Sequence, residues 1–347
     1  MLKKSGTDGS NLNKKKMVDI PRKKLEKLFQ NFLTKKILVL GDLMLDRYLW
    51  GVVSRISPEA PVPVVEIERE FARLGGAANV GNNIKSLGGT PYLVGIIGND
   101  NSGNEILSIM NQNGLPADGI VRDESRPTTV KTRVIAHHQH VVRTDRESRS
   151  PISKSVSNHL KDTLITLIPK MDAVIIEDYN KGLIVADLIS FAIHTARHFD
   201  TPIMVDPKFD HFFAYKNVDV FKPNRKETEE ALGMRLDSSQ KVEEAGKILF
   251  ERLEPGCLMI TLGEEGMAVF DKPDHVIYVP THARKVRDVS GAGDTVVSSL
   301  SMALVSGADF LEAASFANRA AGLVCEEVGI VPVNRERLFQ TYISEGH

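Results

Sequence analysis

Six short apolar runs in this sequence each close on a glycine, a charged side chain or an amide, and helical patterns lie between most of them. Ile37-Leu38-Val39-Leu40 closes on Gly41-Asp42, residues 92–97 on Gly98-Asn99-Asp100, and 173–176 on Glu177-Asp178. Residues 203–205 close on Asp206-Pro207, 218–221 on Lys222-Pro223-Asn224, and 258–262 on Gly263-Glu264. A run that is apolar at every position suits a strand covered on both faces, as in a parallel sheet. Apolar positions recur at helical spacing in 77–87, 104–113, 153–168, 186–198, 226–232 and 241–253, and a short helix over 21–33 would place Leu25, Leu28, Phe29 and Phe32 on one face. Strand and helix in alternation predict a doubly wound α/β sheet, which takes its ligands at the carboxyl ends of the strands.

Two stretches break the alternation. Residues 48–71 are rich in Val and Ile but carry Pro58, Pro61 and Pro63, which rules out a central strand or a helix. Residues 128–143 alternate as a strand, with Val130, Thr132 and Val134 on one face and Lys131 and Arg133 on the other. Both are expected to form a small β lid, about 47–72 and 127–145, inserted over the ligand edge of one domain spanning 21–347. Residues 1–20 read as a polar tail whose Lys14-Lys15-Lys16 is a solvating run and whose lysines precede no apolar core, so no export signal is expected.

With 44 basic and 45 acidic residues the formal net charge is −1, which leaves no footprint for nucleic acid or a membrane. Cys257 and Cys325 stand alone and far apart, so neither a disulfide framework nor a thiolate zinc site is expected. A cytoplasmic protein fits these features. His137, His138 and His140 make a weak metal candidate, because on a strand only two of them share a face.

The densest signal is Asp288-Val289-Ser290-Gly291-Ala292-Gly293-Asp294-Thr295, which runs into a helical pattern at 296–304. A glycine-rich turn at a helix start presents free amides and the positive end of the dipole, an anion site. The carboxylate of Asp294 stands where that anion would sit. The pairing makes sense if the anion is a transferring phosphoryl group and Asp294 deprotonates its acceptor; the alternative is an ordinary helix cap. Leu74-Gly75-Gly76-Ala77-Ala78-Asn79 again sets glycines at a helix start, either for close approach to a polyol with Asn79 bonding its hydroxyls, or as a plain turn. In Lys222-Pro223-Asn224-Arg225-Lys226-Glu227, Asn224 and Glu227 share a helix face and suit magnesium through water, with Lys222 a point charge for phosphate; the same spacing also fits a capping box. No Walker loop and no G-x-G-x-x-G after the first strand is present.

These three blocks, in this order, resemble the ribokinase-like (PfkB-type) sugar kinases, whose signatures are the glycine pair with a downstream Asn and the D-x-x-G-A-G-D turn. A narrower resemblance, to the kinase domain of heptose-7-phosphate kinase/adenylyltransferases, rests on Gly41-Asp42-Leu43-Met44-Leu45-Asp46-Arg47-Tyr48, on residues 54–64, on Asp178-Tyr179-Asn180-Lys181-Gly182, on Asp206-Pro207-Lys208 and on residues 316–321. It covers about 36–335. It implies a three-layer α/β/α fold, with Asp294 as catalytic base and the backbone of Gly291, Ala292 and Gly293 as anion hole. It further implies Asp42, Gly75, Gly76 and Asn79 on the sugar with Asp178 and Lys181 nearby, Asn224 and Glu227 organising magnesium, and Lys222, Asn224, Gly263, Gly266 and Asn318 around the nucleotide. Val289 stands where the family often has Thr, and Asn180 where it often has Gly.

The resemblance leads to an ATP- and magnesium-dependent kinase acting on the C1 hydroxyl of D-glycero-D-manno-heptose 7-phosphate. Its product would be the 1,7-bisphosphate used for ADP-heptose. A substrate phosphate needs cations, for which Arg55, Lys131, Arg133, Arg143 and Lys181 are candidates. Kinases of this family often pair through their lids, so a homodimer is expected. The chain lacks the His-x-Gly-His of a nucleotidyltransferase, so the next step would fall to a separate enzyme. Another sugar or sugar phosphate is the alternative acceptor. A binding protein without turnover is the lesser alternative, since a binder needs no base.

Overall fold

The computed structural model describes residues 18–137, 139–282 and 286–345. Thirteen strands are described: β1 (Lys36–Gly41), β2 (Leu43–Ile56), β3 (Pro63–Gly76), β4 (Thr90–Gly98), β5 (Ile120–Asp123), β6 (Thr129–Ala136), β7 (Gln139–Arg146), β8 (Ala173–Glu177), β9 (Ile203–Asp206), β10 (Val220–Phe221), β11 (Cys257–Thr261), β12 (Met267–Lys272) and β13 (His275–Val279). Ten α-helices accompany them: α1 (Arg22–Phe32), α2 (Ala77–Leu87), α3 (Asn101–Gln112), α4 (Lys154–Leu167), α5 (Ala186–His198), α6 (Arg225–Leu232), α7 (Ser239–Leu253), α8 (Ala292–Val305), α9 (Phe310–Val324) and α10 (Arg335–Glu345).

Nine strands form one sheet in the order β13-β12-β11-β10-β9-β8-β1-β4-β5. It is parallel from β5 to β11, and β12 and β13 extend it antiparallel. The six apolar runs are its inner strands, and the reason is visible residue by residue. Ile37 and Val39 pack into a core with α1, α2, α8 and α9 on one face, while Leu38 and Leu40 pack with α4, α5 and α7 on the other. A strand buried on both faces has no polar side, hence runs as unbroken as 37–40 and 173–176. This is the expected three-layer arrangement. The winding reverses beside β1, whose neighbours are β8 and β4, so Gly41-Asp42 and Glu177-Asp178 flank the crevice in register, Gly41 opposite Glu177.

β1 continues through Asp42 into β2, which leaves the main sheet and pairs in a second one of order β3-β2-β6-β7. Its strands come from the two aberrant stretches, but each stretch is a hairpin. Residues 128–143 were expected to form a single strand; instead the chain turns at His137, φ 49°, between β6 and β7. Helix α3 starts three residues earlier than the pattern predicts because Asp100 caps it, accepting from the Gly103 amide at 2.9 Å. Strands β5, β12 and β13 and helices α9 and α10 were not anticipated. Of the predicted tail, residues 1–17 lie outside the described residues, and Ile20 is buried against the core. Among the described residues, no helix is long and apolar enough to cross a membrane.

Candidate active site

A cavity of about 640 Å³ opens at the carboxyl edge of β8, β9, β10 and β11, facing the start of α8. Gly291 caps that helix with φ 78°, a left-handed conformation that favours glycine, and a Cβ there would press on Asn79 Nδ2 at 2.9 Å. Gly291 and Gly293 line the cavity. Ala292 differs from expectation, because its amide donates to Val289 O at 3.2 Å and points into the turn instead of toward a ligand. Val289 is exposed, consistent with only its backbone being used.

Asp294 follows in the first turn of α8, is 2% exposed, and also lines the cavity. Its Oδ2 accepts from Asn79 Nδ2 at 2.7 Å and its Oδ1 from the Tyr179 hydroxyl at 2.7 Å. Burial pushes its carboxyl up to about 6, against the lowering effect of these two bonds, with the negative charge of Asp206 and Asp46 adding to the rise. A carboxylate so placed is ionised at neutral pH yet basic enough to take a proton.

The residues expected on the sugar divide into two groups. Asn79 has a different partner from the one predicted. It is fully buried, donates to Asp294, and accepts from Asn83 Nδ2 at 3.3 Å, so it holds that carboxylate and is not free for hydroxyls. Asp42 is also turned to the protein: its Oδ2 accepts the amides of Tyr179 at 2.9 Å and Lys181 at 3.2 Å. Burial, and then the charge of Asp178, raise its carboxyl to about 6. Asp178 accepts from the Asn180 amide at 2.8 Å and the Tyr215 hydroxyl at 2.7 Å, and burial raises it as well. Gly75 and Gly76 sit at the root of the lid, paired with Met44 and Leu43, and a Cβ on them would collide with the Asp46 carboxylate and the Asp42 carbonyl respectively. The candidate phosphate cations are mostly engaged. Arg133 pairs with buried Asp46, Lys131 and Arg143 with Asp145, each at 3.0 Å, and Lys181 with Glu147 at 2.8 Å. Arg55 is exposed near the tip of the β2–β3 hairpin.

On the nucleotide side, Lys222 lines the cavity but is buried and paired with Asp206 at 2.7 Å. Burial lowers its ammonium, and Asp206 and Glu227 more than compensate, so it stays charged. Lys208 is more open, pairs with Glu227, and rests over the Tyr179 ring at 5.1 Å. Gly263 lines the cavity with φ 66°. Gly266, φ 93°, instead closes the turn between β11 and β12, where a Cβ would strike the Val279 carbonyl. Asn318 is likewise outside this cavity: its amide donates to Pro280 O at 2.6 Å beside a separate small cleft.

Asn224 and Glu227 form the capping box of α6. Asn224 Oδ1 accepts the Glu227 amide at 2.9 Å, and Glu227 Oε2 accepts the Asn224 amide at 2.8 Å while Oε1 meets Lys208. Every oxygen of the pair already accepts from the protein. Each keeps a lone pair, so the set fits a hydrated magnesium reached through its water shell. Among the described residues, no group of three or more His, Cys, Asp or Glu is arranged to hold a metal ion, and His138 of the histidine cluster lies outside them.

Sequence reasoning assigned no role to Tyr179, Asp206, Lys208 or Glu177. Glu177 is 1% exposed with Oε2 unpartnered, and burial with the nearby charge of Asp206 and Asp294 pushes it well above the carboxylate range. All four lie at strand ends within the quoted D-Y-N-K-G and D-P-K segments or next to them, which was the available signal.

Comparison with known proteins agrees with this geometry. Residues 34–336 match the pfkB family carbohydrate kinase. "Bifunctional protein HldE" of Geobacter sulfurreducens is 42% identical over 313 residues, 90% of this chain and 64% of that protein. The protein of the same name from Pelobacter propionicus is 41% identical over 308 residues, 89% and 63% of the two chains. The chain thus spans slightly less than two thirds of these relatives. Among solved structures, phosphofructokinase-2 from Escherichia coli in complex with fructose-6-phosphate superposes with a TM-score of 0.73 at 16% identity, covering 90% of this chain and 99% of that one. Ribokinase of Arabidopsis thaliana, complexed with ribose and ATP, gives 0.68 at 18%, covering 88% and 99%. Those two show the ribokinase-like fold, and the match over residues 34–336 shows that the chain belongs to the pfkB family of carbohydrate kinases, which use ATP as phosphoryl donor.

Proposed function

We propose that this kinase phosphorylates the C1 hydroxyl of D-glycero-D-manno-heptose 7-phosphate, giving the 1,7-bisphosphate. The observation that carries phosphoryl transfer is Asp294, buried at a helix start and facing a cavity that also holds Lys208 and Lys222. The heptose assignment is supported by the HldE relatives and by the quoted segments at 41–48 and 178–182. In this reading the acceptor hydroxyl gives its proton to Asp294 and its oxygen attacks the γ-phosphorus in line, with ADP leaving. The dipole of α8, Lys208 and Lys222 neutralise the charge that develops. Magnesium, held through water near Asn224 and Glu227, supplies further charge neutralisation on the phosphates when bound. Lys131 of the lid and Lys181 of the loop after β8, paired here with Asp145 and Glu147, are the cations offered to the substrate phosphate. The exposed apolar lid positions, including Ile67 and Val142, are the pairing surface of a homodimer, and a separate nucleotidyltransferase consumes the bisphosphate.

ADP release measured over a panel of sugars and sugar phosphates tests this. Heptose 7-phosphate should give the highest kcat/KM, excess chelator should abolish turnover, and the product should be a bisphosphate with no ADP-linked heptose. Equal or better turnover of a different sugar would replace the acceptor, and full activity in chelator would remove magnesium.

A further inference from the structure

The base is held by a residue that phosphoryl transfer, as described so far, does not use. We propose that Tyr179 is a positioning residue for Asp294, its hydroxyl fixing the carboxylate and setting how readily it takes the acceptor's proton. The inference rests on Asp294 being the base, and so on the proposed reaction.

Three observations carry it. The Tyr179 hydroxyl donates to Asp294 Oδ1 at 2.7 Å, opposite the Asn79 amide on Oδ2, so the carboxylate is clamped from both sides. Each oxygen keeps a lone pair, and the acceptor hydroxyl can take one without displacing either clamp. Second, the loop that aims Tyr179 is itself pinned. Asp42 accepts the amides of Tyr179 and Lys181, Asp178 accepts that of Asn180, and Asn180 adopts φ 54°. Asparagine tolerates that left-handed conformation, which accounts for its replacing the family's frequent glycine there. Third, Lys208 lies over the Tyr179 ring, which lines the cavity.

The groups facing Asp294 all bear on its proton. Asn79 comes from α2 and Tyr179 from the loop after β8, with Glu177 at the end of β8, Asp206 at the end of β9 and Asp46 on β2. Of these, the Tyr179 and Asn79 bonds favour the ionised base, and burial and the carboxylates disfavour it. Burial, and then the charge of Asp294, Glu177 and Asp206, hold the Tyr179 phenol well above its ordinary range, so it remains a donor at any working pH. Proton transfer in the reaction therefore ends on Asp294 and never on Tyr179.

The test is Tyr179→Phe, which keeps the ring and its contact with Lys208. Losing one bond to a charged acceptor should lower kcat about ten- to a hundredfold, with KM for sugar and ATP within about twofold. The acid limb of the pH–kcat profile should move upward. Site-specific 3,5-difluorotyrosine at 179, a stronger donor, should move the limb the other way. A ¹³C titration of the Asp294 carboxyl, assigned with Asp294→Asn, should show the same opposed shifts without any substrate. That arm keeps the coupling testable if heptose phosphate proves not to be the acceptor, or if Tyr179→Phe folds poorly. Unshifted titration of Asp294 in both variants, or a loss confined to KM, would overturn the proposal.

Discussion

The two sheets of this molecule use the same residue types in opposite electrostatic settings. At the carboxyl edge of the nine-stranded sheet, Asp42, Glu177, Asp178 and Asp294 are all raised, because the burial of each outweighs the hydrogen bonds and cations that oppose it. On the outer side of the lid, Asp145 in β7 and Glu147 just after it are lowered: burial is the largest single influence on each and raises it, but Lys131 and Arg143 for the one, and Lys181 and Lys131 for the other, together outweigh it. Strand β8 is buried at every position, whereas β7 is exposed at every position. Depth therefore decides whether an acid is a base or a counter-ion. The covered sheet holds chemistry rigidly, and the one-sided sheet presents charges that can exchange partners. Asp46, at the lid's root, lies between the two regimes, raised by burial even though Arg133 pairs with it.

The largest effect should come from the deep side. Asp294→Asn retains shape but cannot accept a proton, so turnover should fall roughly 10²–10⁴-fold while melting temperature and ATP binding stay close to wild type. Near-normal turnover in a stable variant would reduce the position to a buried polar residue in the first turn of α8 and remove the contrast. Next in size is packing. Ile175→Ala, at a fully buried position in the middle of β8, should cost about 2–5 kcal/mol in a denaturant titration. A cost below about 1 kcal/mol would mean that the sheet is not the rigid platform described.

Acidification sharpens the comparison further. Asp294 must be ionised to act and is raised to about 6, so kcat should fall close to tenfold per unit below that pH, more steeply if Asp42, also about 6, releases the Tyr179 loop on protonation. Stability should move the other way. A carboxyl raised on folding contributes stability that is complete below its unfolded value and lost as pH rises through the folded one. Between pH 7.5 and 5.5 the melting temperature should hold or rise while turnover falls. The lid acids, being lowered, lose their contribution only nearer pH 4, in the range of their unfolded values. A melting temperature that tracked activity downward over pH 7.5 to 5.5 would contradict the assignment of buried, raised acids to the site.

How much of this was legible in sequence follows the same division. Inner strands buried on both faces leave unbroken apolar runs, so the α/β class could be read directly, as could the glycine turn at the start of α8 with Asp294 in its first turn. Strands β12 and β13 were not legible, being short, antiparallel and interrupted by Asp271, Lys272 and Asp274. The hairpin at 128–143 reads as one strand because its turn uses His137 at positive φ with no glycine to mark it. Asn79 illustrates the limit within the site. Its glycine-rich neighbourhood pointed to a ligand, but its partner Asp294 is 215 residues away, and only the fold shows that the amide meets the base. The resemblance implied Asp42 on the sugar with Asp178 nearby, whereas in the structure their hydrogen bonds hold the loop that carries Tyr179.

The smallest effect belongs to the lid surface. Val142 on β7 is 49% exposed and paired with Val134 across the hairpin. Val142→Thr keeps the β-branched shape, removes little buried area, and should change stability by no more than about 0.5 kcal/mol in dilute protein. The contrast with Ile175→Ala, the same kind of apolar loss at a covered strand, is the comparison of the two sheets reduced to two substitutions. If a second copy covers the lid, the exposed positions acquire a cost that appears only in association. Ile67, 47% exposed, stands with Val142 among the apolar side chains the lid leaves uncovered, so Ile67→Asp combined with Val142→Asp would place two like charges in such an interface. Sedimentation velocity over a concentration series should then show a wild-type dimer and a monomeric double variant with an unchanged melting temperature at low concentration. A wild-type monomer throughout would end the pairing proposal, and a double variant that melts many degrees lower when dilute would show that this face is not the solvent-exposed side of the lid.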